Sequence, residues 1–142
     1  MAMDKPVLVD TSALIALFNA NERYHEDCVM VADNLPVGKT YTCWPVITEA
    51  AYLLRRYPTQ RDELLSAVVQ EEFILLPLTM YDLPGIRQVL SDYMDQEIDL
   101  ADAALVHLAN REDIYAMFTL DRRHFHVFRR DNRKKFQILP HP

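Results

Sequence analysis

The stretch Val7-Leu8-Val9-Asp10-Thr11-Ser12-Ala13-Leu14 runs three apolar residues straight into an aspartate and two hydroxyl side chains. A continuous run of apolar β-formers reads as a strand covered on both faces, as in a parallel sheet. The residues that follow, Ser12 to Phe18, keep a helical pattern. A strand that enters a helix through an aspartate delivers a carboxylate to the carboxyl edge of the sheet. One reading of Asp10 is a helix cap that accepts backbone N–H bonds, worth about 1 kcal/mol. The other is chemical, and it requires partners from elsewhere in the chain.

The same alternation continues outward from this stretch. Helical patterns cover Glu22–Leu35, Pro45 to about Arg56, Gln60–Glu71, Met80–Asp95 and Leu100–Arg111. Between them, Lys39–Thr42, Phe73–Leu76, Ala116–Thr119 and Phe136–Leu139 are β-branched or apolar and read as strands. Pro45 suits the first turn of its helix. Strands separated by helices predict an α/β protein, a three-layer α/β/α sandwich with a mostly parallel central sheet. Right-handed crossovers align the carboxyl ends of the strands along one edge, where ligands sit in such folds.

The 142 residues suit one domain spanning 1–142, half of them hydrophobic and a quarter charged. No apolar run approaches the ~20 residues of a membrane span, and the opening MAMDKP has no secretory pattern. Cys28 and Cys43 are too few for a disulfide framework. A cytoplasmic protein is the expectation. With only Gly38 and Gly85, the chain has no glycine-rich phosphate cradle, which argues against nucleotide-loop enzymes. Charge is uneven: residues 1–121 hold 20 acids against 8 Lys/Arg, whereas 122–142 hold 7 Lys/Arg and the single acid Asp131. Such asymmetry can mark a polyanion contact beside an acidic body.

Four further acids share Asp10's suspicious placement. Glu49 lies in a helix with Val46 three residues before it and Leu53 four after, so apolar neighbours flank it on one face. It is either a rim residue or a carboxylate held by a cation or hydrogen bonds. Asp99 and Asp102, spaced i, i+3, open a helix where its dipole welcomes acids. Asp99 is the natural N-cap, and Asp102 is followed by small residues that allow close packing on the sheet. Asp121 ends the strand-like AMFTL, with Thr119 two residues before it, repeating the first motif. Packed together, these carboxylates would repel and raise their pKa values unless a divalent cation intervened. All-oxygen donors suit Mg²⁺ or Mn²⁺.

VLVDTSALIALF, ITEAAYLLRR, DLADAALVHLA and FTLDRRHF, in this order, resemble the four signature blocks of PIN-domain proteins, specifically toxins of the VapC type. The resemblance runs from Val7 to about Leu139. It implies an α/β/α sandwich and a Mg²⁺- or Mn²⁺-dependent endoribonuclease, a homodimer inhibited by a cognate VapB-like antitoxin. It carries the family's catalytic and metal-binding acids onto Asp10, Glu49, Asp102 and Asp121. Its hydroxyl positions fall on Thr11 or Ser12 and on Thr119, and Asp99 is either an additional supporting acid or the cap. RNA as the substrate is likewise what the resemblance implies.

The basic segment DRRHFHVFRRDNRKKF reads as a loop leading into the last strand, with Phe125, Phe128 and Phe136 in the core and Arg122 and Arg123 as phosphate contacts beside Asp121. His124 and His126 form an H-x-H pair with no third zinc ligand at a suitable spacing, so a surface or packing role is expected. His107 reads as a core-edge residue. Two rival classes use similar acids. A phosphoacceptor signalling domain requires a lysine near the acids, and Lys5, Lys39, Lys134 and Lys135 are poorly placed for it. A haloacid-type phosphatase requires an acid two residues after Asp10, where this chain has Ser12. A PIN-like RNA-binding module without activity is the third alternative.

Overall fold

The computed structural model describes residues 3–130 and 133–141. Its strands are β1 (Val7–Val9), β2 (Thr40–Thr42), β3 (Ile74–Leu75), β4 (Ala116–Phe118) and β5 (Gln137–Leu139). Its helices are α1 (Thr11–Phe18), α2 (His25–Ala32), α3 (Trp44–Leu53), α4 (Pro58–Val69), α5 (Leu83–Asp92), α6 (Leu100–Glu112) and α7 (Arg122–Val127). All strand pairings are parallel, in the order β3-β2-β1-β4-β5. The expected parallel α/β architecture is therefore present.

The order reverses between β1 and β4. From β1 the chain steps outward to β2 and β3, then returns to β4 on the other side of β1. Because parallel crossovers are right-handed, the two sets of connecting helices fall on opposite faces, and the crevice opens at the reversal. The register pairs Val7 with Ala116 and Val9 with Phe118. Asp10 and Thr119, the next residues on each strand, are therefore neighbours at the carboxyl edge, and Asp10 N donates to Phe118 O at 2.9 Å.

Burial explains the sequence pattern. Val7, Leu8 and Val9 are at most 1% exposed, because helices cover both sides of the central strand. Burying each such side chain contributes roughly 1.5–3 kcal/mol. The small residues Ala101, Ala103 and Ala104 are buried along α6, so its backbone can lie close to its neighbours. Pro45 and Pro58 occupy the first turns of α3 and α4, where no amide donor is needed. Cys28 and Cys43 are both free and buried, and burial pushes each thiol up to about 11.

Two segments depart from the sequence reading. The single helix expected over Met80–Asp95 is divided. Thr79 and Asp82 form a reciprocal capping box around a short 3-10 turn, Met80–Asp82, before α5 begins, and a second 3-10 turn, Met94–Gln96, follows it. Glu97 then takes a left-handed conformation that prevents continuation. In α5 a side chain at Gly85 would collide with the ring of His107, so close approach to α6 explains that glycine. His107 itself is half-buried, its Nε2 2.8 Å from Asp82 Oδ1. That contact, with Thr79 N–H and Arg111, holds the Asp82 carboxyl well below the usual range.

The second departure is the basic segment. It opens with α7 rather than with a loop, because Asp121 caps the helix by accepting from His124 N–H. The phenylalanines are in the core as expected: Phe125 and Phe128 meet edge to face at 4.9 Å and Phe136 is 7% exposed. Arg130 is also buried, its Nη2 2.7 Å from Asp113 and its guanidinium 3.8 Å above the Tyr115 ring. Asp131 lies outside the described residues.

Candidate active site

Two loop starts meet at the β1–β4 reversal, and hydroxyls join them. Asp10 is 4% exposed, its Oδ1 accepting from Thr11 N–H at 2.7 Å. Its Oδ2 accepts from Thr119 Oγ1 at 2.7 Å and from Ser12 Oγ at 3.2 Å. Thr119 Oγ1 in turn accepts from Asp121 N–H, and Ser12 Oγ accepts from Leu120 N–H, both at 2.9 Å. Asp10 therefore both caps α1 and anchors the chain after β4. The structural and the chemical reading of this residue coexist.

Helix α6 brings its first turn to the same place. Asp99 Oδ1 accepts from Asp102 N–H at 2.9 Å, and Asp102 Oδ2 lies 3.4 Å from Asp99 N, a reciprocal capping box. Asp99 is thus the cap, and Asp102 is fixed with its carboxylate turned back over the helix start. Glu49 arrives from the middle of α3, which packs against α6. Asp10, Thr11, Ser12, Glu49, Asp102 and Asp121 line one cavity of about 280 Å³, as do Asp99, Glu97, Leu53 and His124. The acids expected from the sequence therefore converge.

Crowding has an electrostatic consequence. Burial, followed by the charge of Asp10 and then Asp99, pushes Asp102 up to about 8. Burial likewise pushes Asp10 up to about 6, against the hydrogen bond from Thr119. Glu49 rises to about 7 through burial and its neighbour Asp99. At neutral pH such a set is held together by shared protons or by a cation. The Thr11 hydroxyl is buried in the same wall within reach of the Glu49 carboxylate, a further oxygen beside the acids.

His124 was not expected here. Its Nδ1 is 2.9 Å from Asp121 Oδ2 and 3.9 Å from Asp102 Oδ2. Donor atoms of Asp102, Asp121 and His124 all lie within 4.8 Å of one another, a cluster that can hold a metal ion. The signal was the i, i+3 spacing of Asp121 and His124, meaningful only once the segment is a helix. Arg122 turns away from the acids, Nη2 lying 3.3 Å from the Pro140 carbonyl. Arg123, in the first turn of α7, is exposed.

Acids gathered at the carboxyl edge of a parallel sheet accord with the expectation from the sequence, and comparison with known proteins shows the family. The PIN domain profile matches residues 7–130. The chain belongs to the PIN-domain family. This PIN domain is 32% identical over 141 residues to Ribonuclease VapC26 of Mycobacterium tuberculosis, covering 94% of this chain and all of that protein. Its fold is similar to that of VapC20 of Mycobacterium tuberculosis, described as a toxin that cleaves the sarcin–ricin loop. The TM-score is 0.74 at 20% identity, over 81% of this chain and 89% of that one. It is also similar to PAE2754 from Pyrobaculum aerophilum, with a TM-score of 0.52 at 20% identity over 84% of each chain. Among the described residues of the PIN domain, no helix is long and apolar enough to cross a membrane.

Proposed function

We propose that this PIN domain is a divalent-metal-dependent endoribonuclease, the toxin of a toxin–antitoxin pair. The observation that carries the reading is the convergence of Asp10, Glu49, Asp102 and Asp121 on one small cavity at the sheet's reversal point. The likeness to Ribonuclease VapC26 over nearly the whole chain supports RNA as the substrate.

The donors fit Mg²⁺ or Mn²⁺: carboxylate oxygens, those of Asp10 and Asp102 raised above their ordinary pKa range by burial, with the buried Thr11 hydroxyl beside them. Asp10, Asp102 and Asp121 would hold the ion, with Glu49 as a fourth ligand or base. When bound, the metal supplies charge relief on the phosphate and a more acidic water. The chain's own part is positional. Thr119 and Ser12 lock the Asp10 carboxylate, and the Asp99 capping box locks Asp102. Glu49, near neutrality at about 7, is suited to accept a proton from an attacking water at its carboxylate oxygen. In-line attack at phosphorus leaves a 5′-phosphate and a 3′-hydroxyl. Arg123, beside Asp121 and exposed, is the better placed of the two arginines to meet the neighbouring phosphates. A VapB-like antitoxin, a homodimeric state and a cytoplasmic location complete the proposal; the likeness to a VapC ribonuclease supports the antitoxin, and the other two rest on the sequence reading alone.

The phosphoacceptor alternative is disfavoured by placement. Lys5, Lys39, Lys134 and Lys135 precede β1, β2 and β5, so they stand at the amino edge of a parallel sheet, opposite the acids.

The test is cleavage of defined tRNA, rRNA and mRNA transcripts with Mg²⁺, Mn²⁺ or EDTA, with Asp10→Asn alongside. Metal-dependent cutting that the variant loses supports the assignment. Cutting that persists in Asp10→Asn, or in EDTA, overturns it.

A further inference from the structure

Away from the acids, the later turns of α6 form one wall of a cavity of about 840 Å³, with α5 and the chain after α7 as the others. Its volume falls in the range of small-ligand sites. Four arginines line it: Arg111 from α6, and Arg129, Arg130 and Arg133 from the segment after α7. Asp92 is the one acid among the described lining residues, and its Oδ1 accepts from Gln88 Nε2 at 2.7 Å. No residue lines both this cavity and the acid cavity. Asn110 on its wall follows Asp102 by eight residues, about 12 Å along the helix.

The arginines differ in what holds them. Arg111 is engaged, Nη1 donating to Pro77 O at 2.8 Å and to Asp82 Oδ1 at 3.0 Å, and Nε to Glu112 at 3.0 Å. Arg129 Nη1 donates to the carbonyls of Val127 and Phe128, and its backbone N–H to Tyr93 Oη at 2.8 Å. Arg130 is 6% exposed, with Nη2 on Asp113 and its guanidinium over the Tyr115 ring. Its Nε and Nη1 are buried with no acceptor. Burying a cation's donors without acceptors is unfavourable until an anion completes them. Arg133 is exposed, and its N–H donates to Arg130 O at 2.7 Å, which ties the two arginines together.

We propose that this cavity is an anion site that takes a phosphate group, with the buried Arg130 at its base and the exposed Arg133 at its mouth. A guanidinium presents its N–H donors as a planar fork that matches phosphate oxygens. The site stands apart from the nuclease reading, because it needs neither the acids nor a metal. Its phosphate arrives in one of two forms, the terminal group of a small compound such as a nucleotide or a phosphodiester of RNA, and the experiment separates them.

Inorganic phosphate, AMP and a short single-stranded RNA without terminal phosphates are titrated by calorimetry into the full-length protein in EDTA. Saturable binding of phosphate and AMP is expected, and Asp10→Asn should bind them as the parent does. Two exposed positions test the location without disturbing the core. Gln88→Glu adds a negative charge to the wall and Arg133→Ala removes a positive one, and each should weaken binding about three- to ten-fold. Arg130→Lys keeps the charge but loses the fork; where its melting temperature shows it folded, it should weaken binding about ten- to hundred-fold. If the RNA displaces phosphate and itself binds more weakly to Gln88→Glu, RNA supplies the group; if it does neither while AMP binds, a small compound does. Absence of any saturable binding that Gln88→Glu and Arg133→Ala weaken, or binding that Asp10→Asn abolishes, overturns the site and leaves the nuclease reading as it was.

Discussion

The hydroxyl of Thr119 donates to Oδ2 of Asp10 at 2.7 Å across a sequence separation of 109 residues. This bond ties the ends of the two central strands together, and it orients the most buried carboxylate of the site. Thr119 is completely buried, so nothing but Asp10, Ser12 and the Asp121 amide can satisfy it.

Thr119→Val keeps the shape and removes the hydroxyl. It leaves Asp10 Oδ2 and the Asp121 amide short of a partner, and a buried unsatisfied polar group costs about 1–3 kcal/mol. The expected outcome is a lower melting temperature together with a loss of cleavage. Thr119→Ser should restore both. Thermal denaturation and RNA cleavage on the same preparations check this, and an unchanged melting temperature in Thr119→Val would refute the anchoring role.

Metal-free stability should depend on pH in a direction set by the raised acids. Asp10 and Asp102 titrate near 6 and 8 in the folded protein, against an ordinary 3.8. Between about pH 4 and pH 8 the folded state therefore binds more protons than the unfolded one, and its stability falls as pH rises. Below that window the depressed Asp82 acts in the opposite sense, its contribution being lost on acidification. In EDTA, melting temperatures should decline from pH 5 to pH 8. Asp102→Asn should flatten the decline, and Mn²⁺ should raise the melting temperature most at the alkaline end. A flat profile for the parent protein in EDTA would contradict the crowding.

His124 holds Asp121 from within the same helix. Its removal should loosen a ligand rather than delete one, an effect of roughly 10- to 100-fold on metal affinity. Calorimetric titration of Mn²⁺ into His124→Ala measures it. Affinity equal to that of the parent would return the histidine to the packing role its sequence context first indicated.

Asp99 is the N-cap of α6, so its loss should appear first as instability. Asp99→Ala should cost about 1 kcal/mol, within the 0.5–2 kcal/mol range of cap deletions, and Asp99→Ser should recover most of it. If Asp99→Ser folds stably and cleaves normally, capping is the whole of its role; if it folds stably and fails to cleave, the carboxylate itself serves the site.

Arg123→Ala should weaken RNA binding and lower the salt dependence of that binding by about one phosphate contact. Arg122→Ala should leave the salt slope unchanged, because Arg122 is engaged with Pro140. Binding isotherms of uncut RNA at several ionic strengths separate the two.

The α/β class, the strand end at Asp10 and the helix start at Asp99 and Asp102 were legible in the sequence, whereas β4 stops at Phe118, three residues short of Asp121. Each depends on local rules: an apolar run for a buried strand, a cap residue before a helical pattern, small residues where a helix must approach a sheet. The segment after Asp121 was not legible, because its charge and aromatics suggest a loop while a single side chain, Asp121, starts a helix through His124 N–H. That helix in turn decides that His124 faces the acids and that Arg122 does not. Only the tertiary structure decided which carboxylates meet and how far burial raises them. The same applies to the four arginines gathered on one cavity beside α6. Convergence is set by the order of strands across the sheet, and the order β3-β2-β1-β4-β5 joins residues more than a hundred positions apart through backbone pairing that no local pattern encodes.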